Sequence, residues 1–215
     1  FMTHIGIDFS LNSPGVCILD QDGYHFISFF NYGGRSLQKK IPKAFELHFE
    51  LDEAETILAF IYNRGVKSKD FLEREREKML DASQVADTVC GVIRKWGYNS
   101  NIYLEGFSYG SKGNSFIDIV QYNSFLRKEL LFLWGKDKIS VFQPSHVKKT
   151  AGKGNGNKHF MVKAFQDNVL GDKEIEKTKL WQYVQGKDYS EKIPKPLDDL
   201  VDAYFIVQTG ILKCN

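Results

Sequence analysis

The stretch IGIDFSLNSPGVCIL, residues 5–19, contains two short apolar runs that are separated by turn-forming residues. The runs His4–Phe9 and Gly15–Leu19 predict two strands. A turn sequence, DQDG, follows them and leads into the aromatic segment Tyr24–Asn31, which predicts a third strand. The N-terminal part of the chain therefore predicts a three-stranded antiparallel meander.

Asp8 lies inside the first of these apolar strands. A buried carboxylate is costly unless it is paired or binds a cation, although an isolated strand-end Asp can also cap a turn. Glu105 ends a second apolar run, NIYLE at residues 101–105, directly before a glycine-containing loop. Because adjacent strands lie about 4.8 Å apart, acids at matching depth on two strands can share one metal ion.

The remainder of the chain alternates between predicted helices and strands. Apolar residues recur at helical spacing in the segments 51–62, 71–96, 115–134, 158–167 and 197–212. The runs 101–105 and 138–142 predict a fourth and a fifth strand, whereas the polar segment 171–195 predicts no element. This order predicts an α/β fold, with a mixed five-stranded sheet and helices on both of its faces.

Composition predicts an ordinary globular protein. The chain has 215 residues, of which 42% are hydrophobic and 26% charged, so we expect one domain over 1–215 with an enlarged helical region at about 35–95. No apolar run reaches the roughly 18 residues of a transmembrane helix, and the N-terminus lacks a signal-peptide pattern. Three widely spaced cysteines predict neither a disulfide framework nor a zinc site, which favours an intracellular, reducing location.

Three acids open the last predicted helix, in the sequence DDLVDAYFI at residues 198–206. The helix macrodipole alone can account for Asp198 and for Asp199. Asp202 follows Asp199 by one turn, so the two carboxylates share a helix face. The apolar residues around them predict packing on the sheet, which would bring both acids toward Asp8 and Glu105. Four such carboxylates suit two Mg²⁺ ions and phosphodiester hydrolysis.

A basic segment without any acid runs from residue 146 to residue 163. Clustered lysines of this kind favour phosphate binding, although they can also form a solvated surface. Aromatic side chains on the loop after Glu105 could stack on unpaired bases, although one of them could instead belong to the core. The predicted nucleic-acid contacts are Lys148, Lys149, Lys153, Lys158, Phe107 and Tyr109.

Four motifs in this order resemble those of RuvC-like Holliday junction resolvases, which belong to the RNase H-like superfamily. They are IGIDFSLNSPGVCIL (5–19), IYLEGFSYGSKGNS (102–115), VFQPSHVKKTAGKGNGNK (141–158) and DDLVDAYFI (198–206). The long segment 35–95 is similar to that of the enlarged phage and viral members.

The resemblance implies an RNase H-like sheet and a nuclease that cleaves branched DNA as a homodimer in the cytoplasm, or in the host cytoplasm for a phage protein. It implies two Mg²⁺ ions, which Mn²⁺ can replace, held by the four acids Asp8, Glu105, Asp199 and Asp202. It also implies that the segment Lys148–Lys158 faces DNA, with Lys153 or Lys158 at the scissile phosphate.

Three alternatives stay open on the sequence. An RNase acting on RNA–DNA hybrids is one, because the same fold serves both reactions. An actin-like or sugar-kinase-like ATP-binding protein begins with a comparable Asp-bearing hairpin, but such proteins usually need two domains and a glycine-rich phosphate hairpin. Here the segment FSLNSPG, residues 9–15, has its glycine only at the end. A non-catalytic DNA-binding module with this fold is the third, and the intact set of acids argues against it.

Overall fold

A computed structural model describes residues 2–31, 41–62, 67–107, 114–168 and 171–214. Six strands form one sheet in the spatial order β4-β3-β2-β1-β5-β6. The strands are β1 His4–Asp8, β2 Gly15–Asp20, β3 Gly23–Asn31, β4 Leu58–Tyr62, β5 Asn101–Glu105 and β6 Ile139–Phe142.

The pairing of the strands confirms the predicted fold class. β1, β2 and β3 are antiparallel neighbours, whereas β5 runs parallel to β1 and β6 runs parallel to β5. This mixed arrangement, with helices on both faces, is the kind of α/β sheet that the sequence predicted. The predicted number of five strands is wrong, because β4 pairs in parallel with β3 and adds a sixth strand at the edge.

The segment 51–62 accounts for the extra strand. It was expected to be helical, but α1 covers Ile41–Glu53 and the chain then turns into β4. The expected common apolar face does not form, since Leu51 is buried while Leu58 and Ile61 are 46% and 49% exposed. Pairing with the open edge of β3 satisfies the backbone of this short, aromatic and β-branched run, for which helical spacing was a weak signal.

Helices cover both faces of the sheet. α2 and α3 pack on one face, against a core that includes Ile5, Ile7 and Ile102, whereas α8, α4 and α5 pack on the other. The remaining helices are α2 Phe71–Ile93, α3 Asn114–Trp134, α4 Pro144–Thr150, α5 Lys158–Gln166, α6 Lys173–Glu176, α7 Lys179–Val184 and α8 Leu197–Cys214. None of the described helices is both long and apolar enough to cross a membrane.

Two short helices lie in the segment 171–195, for which the sequence predicted no element. α6 and α7 bury Ile175, Leu180 and Val184 in the same core as α8. Each of these helices begins with a side-chain cap, from Asp172 for α6 and from Thr178 for α7. The segment was missed because its buried apolar residues are few and are separated by charged ones.

α8 approaches the sheet so closely that glycines line the contact. A Cβ atom added to Gly6 would lie 2.5 Å from the carbonyl oxygen of Ala203, and one added to Gly15 would lie 2.5 Å from that of Asp199. Only glycine therefore permits this approach of strand and helix backbones. The contact between Gly15 and Asp199 fixes how far α8 stands from β1 and β2.

Replacing Gly15 by Ala is expected to displace α8 and to destabilise the protein by about 1–3 kcal/mol, the usual cost of overpacking. The melting temperature should fall by about 2–4 °C for each kcal/mol in a chain of this size. Gly91→Ala is the matched control, because no atom lies within 4 Å of a Cβ added at this site in α2. Equal melting temperatures for the two variants by thermal denaturation would contradict the close contact.

Candidate active site

Asp8 and Glu105 lie on the same face of the sheet. The parallel register pairs Gly6 with Tyr103 and Ile7 with Leu104, and the two acids follow these pairs at the carboxyl ends of β1 and β5. Side chains alternate along a strand, so Ile7 and Leu104 enter the core under α2 and α3. Asp8 and Glu105 therefore turn toward α8, as the sequence predicted.

α8 brings the other two predicted acids to this point. The backbone of Asp199 contacts Gly15, which is the cross-strand partner of Asp8. Asp202 lies one turn further along α8, where its charge raises the pKa of Asp8 and the charge of Glu105 raises its own pKa. The structure thus places the four predicted acids in one cluster at the carboxyl end of the central strands.

The acids of this cluster strongly perturb one another. Burial raises the pKa of Asp8 well above its usual range, and the charges of Asp202, Asp199 and Glu105 raise it further. Burial, together with Glu105 and Asp199, raises the pKa of Asp202 to about 7. Burial also raises the pKa of Asp199 to about 6, against the opposing effect of a neighbouring lysine, Lys195. The cluster is therefore short of positive charge at neutral pH.

Two lysines supply part of the missing charge. Asp198 is only 5% exposed, and its Oδ2 accepts from the ammonium of Lys158 and, at 3.0 Å, from that of Lys195. Lys195 also pairs with Asp199. Asp198 is thus more than a surface acid in a first helical turn, and both it and Lys195 were missed as site residues. The signal was the spacing in KPLDD, which puts Lys195 three and four residues before two acids.

The donor chemistry of the acidic residues fits a hard divalent cation. Within the described ranges, no group of three or more His, Cys, Asp or Glu side chains is placed so that it could hold a metal ion. However, Oδ2 of Asp199 is buried and has no hydrogen-bond partner, which leaves an acceptor available in the cluster. All the donors are carboxylate oxygens, which Mg²⁺ prefers. Asp8, Glu105, Asp199 and Asp202 are the residues that would hold such ions.

A cavity of about 210 Å³ opens beside Glu105 and Asp202. Its other walls include Lys148 from α4 and Lys158 from the start of α5, where the Asn157 side chain caps the helix. The charge of Lys148 lowers the pKa of Glu105, against the larger effect of burial, which raises it. The cavity thus joins two acids to two lysines, an arrangement suited to a phosphate group held next to cations.

The other predicted nucleic-acid contacts lie further out. Lys149 and Lys153 are exposed, at the end of α4 and in the turns that follow it. These turns are closed by backbone hydrogen bonds, including 2.9 Å from Gly152 to Lys149 and 3.1 Å from Lys153 to Lys148. The backbone therefore links the exposed Lys149 and Lys153 to Lys148, which lines the cavity.

Phe107 is half-buried against α3. Its ring lies 6.0 Å from that of Phe116 and 4.6 Å from the guanidinium carbon of Arg127. Arg127 also donates to the carbonyl oxygen of Glu105 at 3.4 Å, so it links the aromatic ring to the end of β5. One face of the Phe107 ring is therefore already in contact with other side chains of the protein. Tyr109 lies outside the described residues.

Comparison with known proteins gives structural similarity without detectable sequence similarity. No protein-family model matches the chain, and no curated protein sequence matches it. The structure of RuvC from Thermus thermophilus is 13% identical, with a TM-score of 0.48, and the match covers 98% of this chain and 96% of that one. The yeast mitochondrial Holliday junction resolvase Ydc2 is 14% identical, with a TM-score of 0.47, over 95% of this chain and 75% of that one.

Proposed function

We propose that this protein is a metal-dependent endonuclease that cleaves branched DNA, such as four-way junctions, by phosphodiester hydrolysis. The observation that carries the proposal is the convergence of Asp8, Glu105, Asp199 and Asp202 beside a cavity lined by Lys148 and Lys158. The motifs that resemble RuvC-like resolvases support a branched substrate and products with a 5′-phosphate and a 3′-hydroxyl.

Each group of residues has a separate role in this proposal. The four acids bind two divalent cations, Mg²⁺ or Mn²⁺, which when bound activate water and stabilise the leaving oxygen. Asp198 holds the ammonium of Lys158 at the mouth of the cavity, where it can meet a phosphate oxygen. Lys148 approaches the same cavity from α4, on the side of Glu105. A phosphodiester drawn into the cavity would therefore lie between lysines and the metal-binding acids.

The deciding experiment compares substrates at one protein concentration in Mg²⁺. Labelled four-way junction, flap, duplex DNA and RNA–DNA hybrid are incubated with the protein, and the cuts are mapped on sequencing gels. We expect cleavage of the branched DNAs near the branch point and little cleavage of linear duplex. Preferential cleavage of the hybrid would identify a ribonuclease H activity instead, and no cleavage of any substrate would contradict the proposal.

Replacing Lys148 and Lys149 together by Ala is expected to weaken binding to all DNAs alike. Each lost phosphate contact removes about 0.9 from the slope of log K against log salt concentration, so the slope should flatten by about 1–2 units. Fluorescence anisotropy over a salt series measures this slope. The matched control is the double substitution of Lys136 and Lys138, which lie at the opposite end of β6. Equal slopes for the two variants would show that Lys148 and Lys149 do not contact phosphates.

The resemblance also supports a homodimer, since a four-way junction offers two symmetry-related strands for cleavage. We therefore propose that two copies act together on one junction. Light scattering coupled to gel filtration should give about twice the chain mass of 24.7 kDa. A monomer both alone and on the junction would contradict the paired arrangement.

A further inference from the structure

Lys195 occupies an unusual place beside the acidic cluster. Its ammonium lies 3.0 Å from Oδ2 of Asp198 and also pairs with Oδ1 of Asp199. These two carboxylates are 5% and 3% exposed, whereas the Lys195 side chain is 40% exposed. The lysine therefore reaches buried acids from the surface while its stem stays in contact with solvent.

The charge of Lys195 acts on the metal-binding acids themselves. It pairs directly with one of them, Asp199, and it opposes the effects of burial and of neighbouring acids on Asp8. Lys158, the other lysine at the cluster, makes its ion pair with Asp198. Among the ion pairs of the described residues, Lys195 is therefore the lysine whose ammonium pairs with a predicted metal ligand, Asp199.

We propose that Lys195 is an internal counter-cation that competes with the divalent metal for Asp199 and leaves this carboxylate when the metal binds. The inference rests on the proposed function, in which Asp199 is a metal ligand. A metal ion and an ammonium on one carboxylate repel each other, and the repulsion is strong at a site that is partly shielded from water. Of the two cations, the lysine is the one that can move, because it sits on a flexible four-carbon stem that is partly exposed.

The exchange has a consequence for substrate binding. Once released from Asp199, the ammonium of Lys195 keeps only Asp198, an acid that it shares with Lys158, and so regains a free N–H donor near the place proposed for the scissile phosphate. DNA would give it a new partner, so DNA binding would favour the metal-bound state. Because such coupling is reciprocal, bound metal would strengthen DNA binding by the same factor.

The first test uses the unaltered protein. The rate at which an amine-reactive reagent modifies each lysine is measured by mass spectrometry, with and without saturating Mg²⁺. We expect modification of Lys195 to become several-fold faster with Mg²⁺, because an ammonium in a tight ion pair reacts slowly. Lys192, an exposed lysine three residues earlier, should not change. An unchanged rate at Lys195 in protein that demonstrably binds Mg²⁺ would overturn the proposal.

The second test measures metal affinity directly. Isothermal titration with Mn²⁺ compares the wild-type protein with Lys195→Met and with the control Lys192→Met, which removes the same charge nearby. We expect Lys195→Met to bind Mn²⁺ roughly tenfold more tightly, a change of the size that outer-sphere partners of metal sites usually make. Weaker binding would mean that Lys195 orients Asp199 for the metal, and equal binding would mean that it plays no part; either result overturns the competition.

The proposed function and the inference about Lys195 are contradicted by different results. If the wild-type protein binds no Mn²⁺, and Asp8→Asn behaves in the same way, the proposed function is wrong. If the wild-type protein binds Mn²⁺ and Asp8→Asn does not, the metal site stands, and only the behaviour of Lys195 decides the further inference.

Discussion

Asp8→Asn is expected to reduce cleavage of a four-way junction by at least about 100-fold, the loss typical when one electrostatic group of an active site is removed. Asp8 lies at the centre of the cluster, where Asp202, Asp199 and Glu105 all act on its carboxyl group. An Asn side chain keeps the shape but supplies a weaker, neutral ligand. Junction binding should survive or improve, because the change removes negative charge and no phosphate contact.

Single-turnover cleavage and a binding titration on the same junction separate these effects. Asp87→Asn is the matched control, since it makes the same chemical change on an exposed face of α2, on the other side of the sheet. Cleavage by Asp8→Asn within threefold of the wild-type rate would refute the assignment of the site. Loss of cleavage by both variants would point to a general defect of folding.

Asp202→Asn is expected to stabilise the folded protein at pH 8 while it abolishes cleavage. Burial and the neighbouring acids raise the pKa of Asp202 from 3.8 to about 7, so the ionised form is unfavourable in the folded state. The shift of about three pKa units corresponds to an upper bound of about 4 kcal/mol, at about 1.4 kcal/mol for each unit. The melting temperature should therefore rise by several degrees, at about 2–4 °C for each kcal/mol.

The sign of the pH dependence follows from the direction of the shift. A carboxyl group with a raised pKa favours folding below its unfolded pKa, near 4, and this contribution is lost as the pH rises through about 7. The gain from Asp202→Asn should thus be largest at pH 8 and should shrink toward pH 5. Calorimetry at both pH values, with Asp87→Asn for comparison, measures it. A destabilised Asp202→Asn variant at pH 8 would contradict the electrostatic account.

The acids could be predicted from the sequence because each stood out against a strong local pattern. Asp8 and Glu105 are charged residues in otherwise apolar runs, and the spacing of Asp199 and Asp202 puts them on one helix face. The roles of Asp198 and Lys195 could not be predicted in the same way, because an acid in a first helical turn and a lysine before it are common on protein surfaces. Their burial and pairing depend on how closely α8 approaches the sheet, and the sequence pattern does not give that distance.

Short elements were the weak part of the fold prediction. β4 has five residues and α6 only four, so each has too few apolar positions for its period to be decided. β4 forms because β3 offers an open edge, and α6 and α7 form because a hydrophobic core lies beneath them. In both cases tertiary contacts decide the structure, whereas the long helices α2, α3 and α8 show their periodicity in the sequence.

The glycine contact between β2 and α8 also makes the proposed cleavage depend on the docking of the last helix. The first and last acids of the cluster, Asp8 and Asp202, come from distant parts of the chain and meet only when α8 has docked on Gly6 and Gly15. A folding intermediate with a formed sheet but an undocked α8 would carry two of the four acids and would be unable to cut DNA. Under the proposed function, recovery of cleavage after dilution from denaturant should therefore not precede the recovery of tertiary packing.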